Sequence, residues 1–185
     1  MNWNKKITAL NALLAEVAAT DGNMAALDVD IAFTQLKDRV ADIKISRNAI
    51  FFIGNGASAS MCSHFAADFA KNGKIHTQTF TDLSLITAVA NDLSYEKVFA
   101  DPLRFRARSG DMLVAISSSG ASPNILEAVK VAKDKGMYIL TLSGMKPENP
   151  LRKQGEINFY IPGETYGMVE TCHAAVLHYW MDLVA

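Results

Sequence analysis

Two hydrophobic rhythms divide the chain. Over the first 45 residues, apolar positions recur at helical spacing: Ile7, Leu10, Leu14 and Val17, then Val29, Phe33, Leu36, Val40 and Ile43. This predicts two helices, parted at Asp21-Gly22-Asn23. From Asn48 onward, short unbroken apolar runs are followed by glycine- or serine-rich turns and then by helical periodicity. The runs at 49–53, 112–116 and 138–142 have the length and the β-branched or aromatic content of strands buried on both faces. Segments 75–80 and 157–161 read as two more. Strand, turn, helix and strand in this order is the pattern of a parallel sheet covered by helices on both sides. The expectation is a three-layer α/β/α sandwich of flavodoxin-like type, with five parallel strands, as a single domain over residues 1–185. Its first 45 residues form a helical hairpin whose apolar stripe must be buried on its own domain or on a neighbouring subunit.

Composition narrows the class. Half of the 185 residues are hydrophobic, enough for one substantial core, so a disordered chain is excluded. Eighteen Lys and Arg against nineteen Asp and Glu give no global field for a nucleic-acid backbone, though a local patch remains open. A discrete small ligand fits better than nucleic acid. No apolar run approaches the roughly 18 to 20 residues of a membrane span, and the opening Met-Asn-Trp-Asn-Lys-Lys leads into an amphipathic stretch, so a cytoplasmic protein without a membrane partner is expected. Cys62 and Cys172 lack a CxxC spacing and read as free, buried thiols in a reducing compartment.

Ligands of an open parallel sheet sit outside the carboxyl ends of its strands, so the turns after strands carry the chemistry. Gly54-Asn55-Gly56-Ala57-Ser58 follows the first run, and its glycines allow a ligand close to the backbone. It is neither GxGxxG nor a P-loop. Ser117-Ser118-Ser119-Gly120-Ala121-Ser122-Pro123 follows the second. Ser122 stands as an N-cap and Pro123 as the first helical residue. A phosphate there would meet backbone N–H groups, the positive end of a helix dipole and several hydroxyls.

Ionisable candidates cluster on two helices. His64 and Asp68 are four residues apart, one turn on one face, a spacing that suits a metal or an acid–base pair. On the final helix Glu170 and His178 lie roughly on one face two turns apart. His173 is offset from them and reads as a core histidine; His76 reads as a strand residue without a chemical role.

The two turns resemble those of the sugar isomerase (SIS) domain, and the helices around them resemble the phosphoheptose isomerases of that family. The resemblance covers nearly the whole chain. It implies a homotetramer whose N-terminal helices serve in assembly. It also implies that Asn55, Gly56, Ser58, Ser117, Ser118, Ser119 and Ser122, with the Asn91-Asp92 pair and Glu170, bind a phosphorylated sugar. His64, Asp68, Glu170 and His178 match a group that holds zinc or another divalent cation, and Asp68 and His178 become the proton-transfer pair. The implied reaction converts sedoheptulose 7-phosphate to D-glycero-D-manno-heptose 7-phosphate through an enediolate. Two matched positions differ in type: Asp68 stands for a Glu and Glu170 for a Gln. Gly167-Met168 replace an Asp-Arg pair, and Lys71-Asn72 stand near a missing Arg. An isomerase for another sugar phosphate, or a non-catalytic SIS module such as one that associates with the replication initiator, is the alternative; retention of His64, Asp68 and His178 argues against the module.

Overall fold

A computed structural model describes residues 2–185. The elements run α1 (Trp3–Ala15), β1 (Ala18–Asp21), β2 (Ala26–Leu27), α2 (Val29–Ser46), β3 (Ala49–Gly54), α3 (Ala57–Lys71), β4 (His76–Thr79), α4 (Leu83–Asp92) and α5 (Ala100–Arg106). They continue with β5 (Met112–Ser117), α6 (Pro123–Asp134), β6 (Tyr138–Gly144), β7 (Ile157–Ile161) and α7 (Tyr166–Val184). No helix among the described residues is long and apolar enough to cross a membrane.

The strands expected from the apolar runs form β3, β5, β6, β4 and β7, and these five pair in parallel. The sheet nevertheless has seven strands, in the order β2-β1-β7-β6-β5-β3-β4, which corrects the five-stranded expectation. The additional two come from the segment between the N-terminal helices. Thr20 and Ala19 pair with Ala26 and Leu27 in a small hairpin, and β1 runs antiparallel to β7, with Ala18 opposite Tyr160. The Asp21-Gly22-Asn23 break is thus a hairpin turn: Asp21 Oδ1 accepts from Asn23 N and Ala25 N at 2.8 and 2.9 Å. Ala-Ala-Thr-Asp carries too little β-branched character, over too few residues, for its period to show.

Each face of the sheet has its own core. Side chains from alternate positions of β3, such as Ile50 and Phe52, face α2, α3 and α7, whereas Phe51 and Ile53 face α4, α5 and α6. On the first face, Phe69 of α3 and Trp180 of α7 meet with their rings tilted at 53° and 4.5 Å between centroids, and both are fully buried. Burying each such ring contributes on the order of 2–3 kcal/mol, so α3 and α7 are held side by side. That pairing positions the ionisable residues discussed next.

Candidate active site

After β3 the chain crosses outward to β4, and after β5 it crosses the other way to β6. The carboxyl ends of β3 and β5 therefore flank the point where the strand order reverses, and both glycine and serine turns sit there. Between them opens a cavity of about 260 Å³, lined by Asn55, Gly56, Ser58, Ser117, Ser118, Ser119 and Ser122 from the turns and by Tyr166 and Glu170 from α7.

The turn geometry explains the residue types. A Cβ on Gly54 would stand 2.7 Å from the Ser58 Cβ, and Gly56 has φ +55°, so glycine lets α3 start tight against the end of β3. Gly120 has φ +61°, and a Cβ there would fall 1.9 Å from Asn149 Oδ1. Buried Asn149 in turn donates to Ser143 Oγ and the carbonyls of Gly144 and Lys146, tying the serine turn to the connection after β6. A second brace is the amide pair of Asn55 and Asn124, which donate to each other at 2.9 and 2.8 Å. Tyr95 adds a hydroxyl donated to Asn55 Oδ1 at 3.2 Å.

The cradle is built for an acceptor-rich guest. Neither N-cap residue, Gly56 of α3 nor Ser122 of α6, makes a side-chain cap hydrogen bond, although in α6 Asn124 Oδ1 accepts from Ile125 N at 3.0 Å. The Ser122 hydroxyl instead lies 3.1 Å from Ser117 Oγ. Ser118 lines the cavity, and its Oγ is buried without a partner, a cost of about 1–3 kcal/mol. Two helix N-termini and a group of hydroxyls favour an anion, and no cation lines the cavity.

A second constellation lies further along α3 and α7. One ligand atom each from His64, Asp68 and His178 lie within 4.8 Å of one another. His64 Nε2 is 3.3 Å from Asp68 Oδ2, and the two imidazoles meet edge to face at 5.4 Å between centroids. Phe65 supports His178 at 4.8 Å. The group is open to solvent, with the His64 side chain 53% exposed and that of Asp68 28%.

Several expected residues stand elsewhere. Glu170 is not in the three-residue cluster; it lines the serine cavity, because two turns of helix carry it roughly 12 Å along α7 from His178. Asn91 and Asp92 are exposed at the end of α4, bonded to each other at 2.9 Å, and do not line the cavity. His173 is fully buried, with Nε2 donating to the Ser143 carbonyl at 3.1 Å, and burial pushes its pKa down to about 4. The thiols of Cys62 and Cys172 are both buried and free, and burial pushes both up, away from a reactive thiolate. Tyr166, Asn124 and Asn149 are the residues that sequence reasoning overlooked. Tyr166 could have been found as the first helical residue after a Gly-Glu-Thr break, which places it at a helix start facing the strand ends.

An open, doubly wound sheet with hydroxyls and two helix N-termini at its switch point, and an ionisable cluster on the adjoining helices, defines an α/β domain of the kind that places small ligands at its strand ends. The chain belongs to the SIS domain family, which matches residues 7–144. It is similar to phosphoheptose isomerases: that of Maridesulfovibrio salexigens is 36% identical over 141 residues, covering 73% of this chain and 68% of that protein. That of Coxiella burnetii is 31% identical over 158 residues, covering 81% and 79%. Among solved structures, phosphoheptose isomerase from Neisseria gonorrhoeae has a TM-score of 0.74 at 25% identity, covering all of both chains. The Francisella tularensis structure, at 22% identity and a TM-score of 0.81 over 100% and 98% of the chains, shares the fold.

Proposed function

We propose that the chain is an aldose–ketose isomerase of a phosphorylated sugar, with sedoheptulose 7-phosphate as its substrate. The observation that carries this is the separation of the two constellations along the same pair of helices. Ala57 lines the serine cavity, and His64 lies seven residues further on the same stripe of α3, about 10 Å along the axis. A phosphate held at Ser118, Ser119 and Ser122 would thus place the far end of an extended six- or seven-carbon chain beside Asp68 and His178. A three-carbon sugar would fall short.

In this reading Ser58, Ser117, Ser118, Ser119 and Ser122 donate to the phosphate while the N-termini of α3 and α6 balance its charge. Glu170 and Tyr166 accept and donate along the middle hydroxyls. Asp68 takes the proton from C1 and returns it to C2, and His178 moves a proton between the two oxygens of the enediolate. Two imidazoles and a carboxylate with donor atoms this close fit a divalent cation such as zinc, which His64, Asp68 and His178 would hold. Bound there, it would supply Lewis-acid polarisation of a sugar oxygen.

The assembly we propose is a homotetramer. Its support is the outer face of α1, where Trp3 is 73% exposed and Ile7 and Leu14 are also uncovered. The domain reading is a single unit over 1–185 with residues 1–45 as the assembly segment, now containing a hairpin. Light scattering should report four chains; a monomer at micromolar concentration overturns the assembly.

The activity test is turnover of five-, six- and seven-carbon ketose phosphates by chelator-treated protein, with and without added zinc. The expected result is isomerisation of the seven-carbon substrate. Tight binding of all three without conversion would instead make the chain a binding module.

A further inference from the structure

The molecule has six arginines, and they divide into two sets. Three have protein partners: Arg39 donates to the Gly110 carbonyl and lies over Tyr138, Arg104 stands 3.8 Å from Glu127, and Arg152 donates to the Pro147 carbonyl over Tyr160. The other three, Arg47, Arg106 and Arg108, line one cleft of about 320 Å³ together with His76 and Gln78. No guanidinium of this second set has a carboxylate or hydrogen-bond partner among the described residues. The Arg106 guanidinium lies over the Phe80 ring, 5.6 Å from its centroid.

The cleft lies at the amino ends of β3, β4 and β5, the opposite end of the sheet from the serine cavity. One carboxylate, Asp111, lines it, and its oxygens are committed. Oδ1 accepts from Ala49 N and Asn48 Nδ2 at 2.8 and 2.9 Å, Oδ2 accepts from Arg108 N at 2.7 Å, and the residue is 3% exposed. An adjoining hollow shares Arg47 and His76 and adds Lys44 and Lys74. Three guanidiniums against the single Asp111 carboxylate leave a local surplus of positive charge, and a chain with net charge -1 has no general surplus of cations to explain the gathering. Gln78 Oε1 is buried without a partner beside His76.

We propose that this cleft is a second anion site, independent of the isomerase reading, and that its ligand is a small molecule bearing a pyrophosphoryl group. Guanidinium forks bind phosphoryl oxygens in pairs, and three forks offer more donors than a single phosphate has free oxygens to use. The buried floor of Ala49 and Phe51 closes the cleft to a size that suits a compact ligand. Phe105, 81% exposed on the rim, offers a stacking face to a nucleobase, so the pyrophosphoryl group can come from free pyrophosphate or from a nucleoside diphosphate.

Calorimetry on the whole chain at physiological ionic strength, with pyrophosphate and with ADP, tests the site. Both should bind, and Arg106→Gln with Arg108→Gln should weaken both by on the order of tenfold or more. Ser119→Ala with Ser122→Ala should leave the pyrophosphate affinity of the cleft unchanged, which separates it from the serine cavity. Phe105→Ala should weaken ADP alone if the nucleoside is recognised, and neither ligand if free pyrophosphate is the natural one. Melting curves check folding of the arginine pair, and Arg47→Gln is the second variant should that pair unfold. Pyrophosphate binding equal to wild type in a folded arginine variant, or lost in the serine variant, overturns the proposal.

Discussion

The two halves of the candidate site are built in opposite ways. The serine end is made of backbone, glycine and buried hydroxyls, braced by Asn149 and the Asn55–Asn124 amide pair. The other end is made of side chains alone, projecting from two helix surfaces into solvent, with His64 and Asp68 meeting at 3.3 Å. The first is a rigid mould that exists before its guest arrives. The second is a set of groups whose arrangement depends on what binds between them. Affinity should therefore reside at the serine end and rate at the histidine end.

The largest expected effect breaks the histidine end. Asp68→Asn or His178→Ala should lower kcat by roughly 10²- to 10⁴-fold, while calorimetric affinity for the sugar phosphate stays near wild type. A variant that lost affinity as much as rate would erase the division. The next effect breaks the mould. Gly120→Ala forces a Cβ into Asn149 and a side chain into a left-handed position, costing on the order of 1–3 kcal/mol. Its melting temperature and phosphate affinity should fall together, but zinc binding at His64 and Asp68, measured by metal analysis, should survive.

Ser118→Ala sharpens the contrast further. Its hydroxyl is an unsatisfied buried group, so removal should raise the melting temperature slightly while weakening the sugar phosphate about tenfold. The smallest effect concerns His173, the histidine outside both halves. Its folded pKa of about 4 lies below the ordinary 6.5, so the unfolded chain takes up a proton first as pH falls. Its contribution is complete above about pH 6.5 and is lost progressively towards pH 4. Melting temperatures measured across that window should decline less steeply in His173→Gln than in wild type.

The serine cavity was legible in the sequence because its logic is local. An apolar strand, then serines, glycine and proline in seven positions, contains one wall of the mould, and the Gly54–Ser58 turn contains the facing one. Four of the five parallel strands likewise kept an apolar run that needed no partner to be read, and β4 showed itself through Ile75 and Phe80 at its borders. The histidine end was only half legible. Helical spacing paired His64 with Asp68, yet no spacing could say that α3 and α7 would lie together, which depends on Phe69 meeting Trp180. The same arithmetic misled at Glu170: residues eight apart share a face, but they do not share a ligand position. Asn91 and Asp92 rested on resemblance alone, and in this chain they face outward. The arginine cleft was invisible because its members come from the ends of α2, β4 and α5, and overall charge balance concealed them.

The antiparallel pairing of Ala18 with Tyr160 also has a temporal consequence. During synthesis the first strand emerges long before its partner, so it must wait while β3, β4, β5 and β6 assemble. The early segment cannot close the sheet edge until almost the whole chain has left the ribosome, and such distant pairing is slow to form. Until then β7's place is vacant and the Ala-Ala-Thr-Asp ribbon is free to pair wrongly. Its brevity and its small side chains make it a poor template for another molecule, which guards the nascent chain during that interval.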